Sequence, residues 1–173
     1  GQALVEFALV MPIALFLLAR RLPWRRMQLQ GRLTAQVVSD PLLPVEKLAI
    51  GGARTVRGYR ENQIVRDQGV IASLELRVPL FLDDAGQSRI GLTLAPFVDY
   101  GAGKDEAIGL PGLDNPQSDD LFSAGAGLLW NWWQPLYVEV YYGADLTDAP
   151  SGGDGDSWQE DGIHALANLS WSF

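Results

Sequence analysis

The sequence predicts a mainly β protein: an antiparallel transmembrane β-barrel portion of about six strands, preceded by one N-terminal hydrophobic helix. From residue 27 onward, apolar and polar residues alternate with period two over segments of about ten residues, the length of a tilted membrane strand. The connections between these segments are alternately short and long, as between the two ends of a barrel. Several aromatic residues lie around one strand end, the position of an interfacial girdle.

Composition narrows the class of protein. The chain has 173 residues and a formal net charge of -8, which argues against nucleic acid as a partner. It has no cysteine, which excludes a disulfide framework and thiolate metal sites. No nucleophile elbow, phosphate loop or metal-ligand spacing is present, so we expect no enzyme activity, catalytic residue, cofactor or metal. The single histidine, His164, is more consistent with a polar lumen residue than with a metal ligand.

The first 18 residues differ from the rest of the chain in composition. Residues 1–18 are apolar apart from Gln2 and Glu6, and as a helix they would span about 27 Å, close to the thickness of the bilayer core. We therefore predict a hydrophobic helix over residues 1–20 and a barrel segment over residues 25–173. The run Ala-Leu-Val-Glu-Phe-Ala-Leu-Val at residues 3–10 resembles the leader helix of TadE-like pilus proteins.

The two predicted segments conflict over location. Four arginines at residues 20, 21, 25 and 26 follow the helix, and this charge bias would leave the C-terminal side in the cytoplasm. An outer-membrane barrel must instead be exported completely. Our hypothesis is a truncated or fused reading frame in which a pilus-type leader has replaced the true N-terminal part.

The barrel segment contains six alternating strands. They lie around residues 27–37, 73–80, 91–100, 122–130, 136–142 and 163–173, each with one face suited to lipid and one to a wet lumen. Trp130, Trp132, Trp133 and Tyr137 are the predicted girdle. Because long connections in such barrels face outward, the C-terminus is expected on the periplasmic side.

Several motifs point to one family. Residues 40–52, 55–62, 73–80, 95–101 and 161–164 resemble, in order, the signature stretches of two-partner secretion transporters. These are the ShlB/FhaC/HecB type of hemolysin activation and secretion proteins, in the superfamily of outer-membrane assembly factors. The resemblance implies a sixteen-stranded barrel preceded by POTRA domains and a plug helix, of which this chain matches the last strands. About six strands would not close a barrel by themselves.

The resemblance also implies a site. In that superfamily a long external loop folds back into the lumen, and its tip arginine pairs with an aspartate on the wall. The matching residues form the predicted loop–lumen lock: Val56, Arg57, Gly58, Tyr59, Glu75, Phe97, Asp99 and Gly101. A guanidinium suits this role because its rigid fork matches a carboxylate. Period two puts Phe97, Asp99 and Gly101 on one face, with Gly101 leaving room for the tip.

The chain's end forms a second predicted site. Leu169, Trp171 and Phe173 share the lipid face of the last strand, and the resemblance implies that the barrel assembly machinery reads this strand. The implied function is export of a large hemolysin- or adhesin-like exoprotein, with the exoprotein, the assembly machinery and membrane lipid as partners. The alternatives are an assembly factor of the same superfamily, a truncated or fused non-functional fragment, and a TadE-like pilus subunit. The predicted location is the bacterial outer membrane, although the helix over residues 1–20 would fit an inner membrane.

Overall fold

A computed structural model describes residues 14–21, 27–81, 91–107, 117–133, 136–147 and 163–169. Seven antiparallel strands form one sheet in which spatial order follows chain order, and a short hairpin forms a second sheet. The strands of the large sheet are β1 (Ala14–Arg21), β2 (Gln28–Gln36), β5 (Gln68–Phe81), β6 (Gly91–Lys104), β7 (Ser118–Trp133), β8 (Leu136–Asp145) and β9 (Ile163–Leu169). The hairpin consists of β3 (Leu48–Ile50) and β4 (Ile64–Arg66). This meander confirms the predicted mainly β, antiparallel fold.

The period-two pattern becomes two chemically different faces. On β6, the side chains of Ala95, Phe97 and Asp99 are buried, whereas the alternate residues Val98 and Tyr100 are exposed. Direct pairing across the strands extends each face through the sheet. The outer face carries exposed large hydrophobic side chains, among them Leu74, Val98, Phe122, Leu128, Trp130, Val140 and Tyr142. Such a surface is typical of strands that contact lipid.

Residues 14–21 correct one prediction. They form strand β1 where the end of a helix over residues 1–20 was expected, and they pair with β2 along the whole strand, from Ala14 opposite Ala35 to Arg21 opposite Gln28. The large sheet therefore has seven strands rather than about six. Within the described residues, no helix has the length and apolar character needed to cross a membrane. Residues 1–13 lie outside the described part, so the TadE-like resemblance remains an expectation.

The aromatic girdle needs a second correction. Trp130 lies on the outer face as expected, with 37% of its surface exposed. Tyr137, which was expected beside it, lies on the inner face: it pairs directly with Asn131 and packs against the buried cluster of Phe97 and Tyr141. The girdle prediction rested on the nearness of these aromatic residues to one strand end, which does not determine the face on which each side chain lies.

The long connection between β2 and β5 is a folded element. It contains the β3–β4 hairpin, and its apolar side chains pack onto the inner face of the large sheet. One buried cluster joins the connection to the sheet, with Leu48, Ile50, Val56, Tyr59 and Ile64 from the connection and Ile71 and Leu121 from β5 and β7. The inner face is thus covered by the chain itself, which places the tip of this connection against the wall.

Candidate functional site: a loop tip held against the inner wall

The tip of the β2–β5 connection is a tight, glycine-dependent turn. Gly58 has φ of +101°, a conformation that residues with a side chain rarely adopt. It also lies against Gly143 on β8, where a Cβ atom would be 3.0 Å from the Gly143 backbone. The hydroxyl of Thr55 accepts a hydrogen bond from the Gly51 N–H at 2.8 Å, which closes the base of the turn. These features fix the direction in which the neighbouring Arg57 side chain leaves the turn.

Arg57 is the centre of a buried hydrogen-bond network, which we call the Arg57 network. Its Nε and Nη2 donate to the two oxygens of Asp99 at 2.7 and 2.9 Å, a bidentate pair, and its backbone N–H donates to Asp99 Oδ2 at 3.1 Å. Its Nη1 donates to Glu75 Oε2 at 2.5 Å. Only 6% of Arg57 and 1% of Asp99 is exposed. The network therefore joins the loop tip to two adjacent strands, β5 and β6.

Two neighbours hold the carboxylates in place. The Ser73 hydroxyl donates to Asp99 Oδ1 at 2.6 Å and accepts a longer bond of 3.2 Å from Arg57 Nη2. Ser73 can reach Asp99 because the two residues are direct partners across β5 and β6. On the other side, Arg77 Nε donates to Glu75 Oε1 at 2.8 Å, so each Glu75 oxygen has its own arginine. Such secondary bonds restrict the rotamers of both carboxylates.

Aromatic rings complete the surroundings of the guanidinium. The Arg57 Cζ atom lies 3.6 Å from the centroid of the Phe97 ring and 4.7 Å from that of Tyr141. These two rings meet edge to face, with centroids 5.9 Å apart. The faces of aromatic rings are negative, so they stabilise the cation while they exclude water from it. The contact with Phe97 gives that residue a direct part in the site.

Burial and neighbouring negative charge change the pKa of Arg57 in opposite directions. Burial alone would lower the pKa of Arg57, but the hydrogen bonds and charge of Asp99, and then those of Glu75, raise the pKa above its usual value. The guanidinium stays protonated, as an ion pair at this depth requires.

Small residues provide the space for the tip. A Cβ atom on Gly101 would overlap Ile50 and Val56, so only glycine lets these side chains reach the wall. A Cβ atom on Gly143 would lie 2.8 Å from the Gly58 nitrogen and 2.9 Å from the Arg57 carbonyl. Val56 is fully buried in this contact. The backbone of the tip thus rests directly on the backbone of the sheet.

Tyr59 attaches the tip to the backbone of Phe122 and Thr147. Its hydroxyl lies 2.9 Å from the Phe122 carbonyl oxygen and 2.8 Å from the Thr147 carbonyl oxygen, and it accepts a bond from the Thr147 N–H at 3.1 Å. Only 3% of Tyr59 is exposed, so its ring is buried rather than lying against a wet surface. The contact joins the tip to β7 and to the start of the connection that follows β8.

A separate ion-pair cluster holds the two ends of the folded connection. Lys47 pairs with Asp67 at 3.1 Å and with Asp105 at 3.0 Å, and Arg66 pairs with Asp119. Asp67 also accepts the backbone N–H of Leu42 and that of Glu106. We call Lys47, Arg66, Asp67, Asp105 and Asp119 the loop-root cluster. It joins the β2–β5 connection to the β6–β7 connection, so both connections leave the sheet as one unit.

All eight residues of the predicted loop–lumen lock lie at this site. Arg57, Glu75 and Asp99 form the network and Phe97 stacks on it, whereas the other four pack or position the tip: Val56, Gly58, Tyr59 and Gly101. Sequence reasoning missed Ser73, Arg77, Tyr141 and Gly143, because alternation gives a residue's face and does not give its partner across the strands. The backbone of Leu169 pairs with that of Leu136, while Trp171 and Phe173 lie outside the described residues. His164 pairs with Tyr141 across β8 and β9. Among the residues described here, no group of three or more histidine or acidic side chains is arranged to hold a metal ion.

The fold and site together define a class: a membrane-type β-sheet with a lipid-compatible outer face and a loop tip bound to its inner wall. A family model described as haemolysin secretion/activation protein ShlB/FhaC/HecB matches residues 16–128, more than half of the chain. The chain belongs to this family, whose members are outer-membrane transporters for two-partner secretion or a related role. The match begins inside β1 and includes the whole Arg57 network. No curated protein and no solved structure matches the chain.

Proposed function

We propose that this chain forms part of the wall of an outer-membrane translocator that exports a large secreted exoprotein, and that the Arg57 network keeps its lumen loop in the transport-competent position. Family membership supports the transport role. The bidentate Arg57–Asp99 pair, buried between loop and wall, is the observation that supports the role of the loop. We propose no catalytic step, because moving a polypeptide through a lumen needs no bond to be broken.

The energetics favour a fixed loop. Removing one member of a buried ion pair costs about 3–5 kcal/mol, because the remaining charge stays buried without a partner. Arg57 has two carboxylate partners, so losing it would leave both Asp99 and Glu75 without their main cation. Loss of Arg57 therefore destabilises the bound position of the tip relative to a released one, in which the two carboxylates regain water.

The test is secretion of the exoprotein by cells that express the intact gene with Arg57→Ala. We expect much less exoprotein in the medium, while the transporter still inserts and still shows a heat-modifiable band. Arg57→Lys should restore little, because an ammonium group cannot replace the bidentate fork.

The matched control is Arg54→Ala, since Arg54 lies in the same loop but is exposed. It should secrete normally. Normal secretion by Arg57→Ala would contradict the proposed role of the loop. A general loss of other outer-membrane barrels on depletion of the protein would favour an assembly factor.

A further inference from the structure

A polar recess lies on the inner wall beside the Arg57 network. It has a volume of about 270 Å³, and its polar lining comes from Gln28, Arg77, Thr93, Asn131 and Tyr137. These residues come from five adjacent strands, β2 and β5 to β8, and direct pairing puts them on one face. We call it the Arg77 recess. It offers a cation, two amides and two hydroxyl groups within one concave surface.

Formal charge around the recess is balanced, with Arg32, Arg57 and Arg77 near Glu75, Asp99 and Glu139, but hydrogen bonds use only part of the arginine donors. Arg77 uses only its Nε in the bond to Glu75, and among the described residues its two Nη groups have no hydrogen-bond partner. Arg32 faces the same side, opposite Ser73, and it makes no hydrogen bond or ion pair within the described residues. Asp99 and Glu75 are already occupied by Arg57, and Glu139, on the same face of β8, has no ion pair to either arginine among these residues. Within the described residues, the Nη groups of Arg77 are therefore donors that remain for an anion, while Glu139 hydrogen-bonds Tyr137.

The recess also has a defined place along the wall. On β5 the order is Ser73, Glu75 and Arg77, running away from the loop-root cluster at Asp67. The long connections face outward in the proposed orientation, so the recess lies on the periplasmic side of the Arg57 network. An exported chain would pass Arg77 before it reaches Arg57.

We propose that the Arg77 recess binds acidic side chains of the exported polypeptide in extended form. The inference rests on the proposed function and adds a substrate feature to it. A carboxylate would bind the two Nη groups of Arg77, while the amides of Gln28 and Asn131 would meet the peptide backbone of the passing chain. The ligand is a peptide rather than a small anion because the polar groups are spread over the whole recess.

Binding of a carboxylate at the Arg77 recess would also affect the Arg57 network. Glu75 shares its two oxygens between Arg77 and Arg57. A substrate carboxylate on the Nη groups of Arg77 would leave the Nε bond to Glu75 in place and would bring a second negative charge close to Glu75.

The experiment measures peptide binding to the chain folded in detergent micelles, by fluorescence anisotropy. The probes are a labelled Gly/Ser peptide carrying two glutamates and the same peptide with glutamines. We expect the glutamate peptide to bind about fivefold more tightly, the range of an accessible ion pair, and Arg77→Gln to abolish this preference. Arg54→Gln, at an exposed loop position, should preserve it.

Equal affinity of the two peptides for the wild-type chain would overturn the proposal. Full displacement of the glutamate peptide by an equal concentration of inorganic phosphate would also overturn it, in favour of a general anion site. Thr93→Trp gives a second test if Arg77→Gln does not fold, since it fills the recess and leaves Glu75 with both arginines. Normal secretion by Arg57→Ala, together with an intact preference for the glutamate peptide, would contradict the proposed role of the loop and leave this site supported.

Discussion

At the scale of single residues, the site depends on side chains that hydrogen-bond to two partners at once. Glu75 joins two arginines, and Ser73 both accepts from Arg57 and donates to Asp99. Such groups restrict one another's rotamers, so the network specifies one position of the loop tip. An exposed ion pair would stabilise this position far less, by about 1 kcal/mol or below.

The Tyr59 hydroxyl gives a prediction at this scale. Tyr59→Phe keeps the buried ring but removes the hydroxyl, which donates its one hydrogen to the Phe122 or the Thr147 carbonyl oxygen and accepts from the Thr147 N–H, at a cost of about 1–3 kcal/mol. We expect faster hydrogen exchange at the Thr147 amide, which donates to that hydroxyl in the wild type. Tyr100→Phe, on the exposed outer face, is the control and should leave Thr147 unchanged. Unaltered exchange in Tyr59→Phe would show that the hydroxyl does not hold this segment.

Sequence reasoning located the charged residues of the site better than their supporting neighbours. Arg57 and Asp99 were identified because both lie in motifs that resemble those of the transporter family. Ser73 and Gly143 were missed, because a serine and a glycine are common on the inner face of any barrel strand. Their roles depend on cross-strand register, which the connections set and which composition does not encode.

At the scale of elements, the β3–β4 hairpin was not predicted. Its strands have only three residues each, too few for alternation to be visible. The positive φ angles of Gly51, Gly52 and Gly58 produce its turns, and glycines in a long polar connection are equally consistent with an irregular loop. What stabilises the hairpin is burial of Ile50 and Ile64 against the sheet, which only the folded arrangement reveals.

The close contact between the loop tip and β8 can be tested by adding a side chain at Gly143. Gly143→Val places new atoms within about 3 Å of the Arg57 and Gly58 backbone, and overpacking of this kind costs about 1–3 kcal/mol. The tip should lift, so we expect protease cleavage within residues 53–60 that the wild type resists. Ala144→Val, the next residue on the outward side, is the matched control. Equal resistance of both variants would show that the close approach at Gly143 does not constrain the tip.

The loop-root cluster should respond to acid. Burial would raise the pKa of Asp67, but the N–H donors of Glu106 and Leu42, together with Lys47, lower the pKa below its usual value. A lowered pKa means that this stabilisation is complete above the unfolded value of about 3.9 and is lost as pH falls through the folded value. Lys47 has a raised pKa, since its bonds to Asp105 and Asp67 outweigh the lowering by burial, and it stays charged throughout this range.

Hydrogen exchange at the Leu42 and Glu106 amides reports on this cluster directly. After correction for the intrinsic rate, protection should be constant near pH 5 and should fall below about pH 3.9. Asp67→Asn should show reduced protection with no such step. A step of equal size in Asp67→Asn would assign the acid response to another group.

At the scale of the whole molecule, the main error of prediction concerned β1. Its sequence, Ala-Leu-Phe-Leu-Leu-Ala-Arg-Arg, is apolar at successive positions, so no period of two is visible and a membrane helix fits equally well. The structure shows that this segment is a strand, because it pairs with β2, whereas the sequence pattern does not distinguish a strand from a helix. A strand there satisfies the backbone groups of β2, which would otherwise be an unpaired edge exposed to lipid.

The pairing of β1 with β2 supplies the last prediction. Phe16 and Leu33 are direct partners, whereas Thr34, one residue further, lies on the opposite face of β2. Direct antiparallel partners have Cα atoms about 4.5–5.5 Å apart, within the range that a disulfide can bridge. The chain has no cysteine of its own, so an introduced pair can form no bond with a native thiol.

We therefore expect the double variant Phe16→Cys with Leu33→Cys to form a disulfide under mild oxidation in the membrane. It should appear as a mobility shift that reductant reverses. Phe16→Cys with Thr34→Cys should form little, because the backbone register pairs residue 16 with Leu33 rather than with Thr34. A helix over residues 14–21 would show no preference between the two pairs, since it would not align Phe16 with one face of β2. The ratio of the two yields thus decides directly whether this segment is part of the barrel wall or of a separate apolar helix.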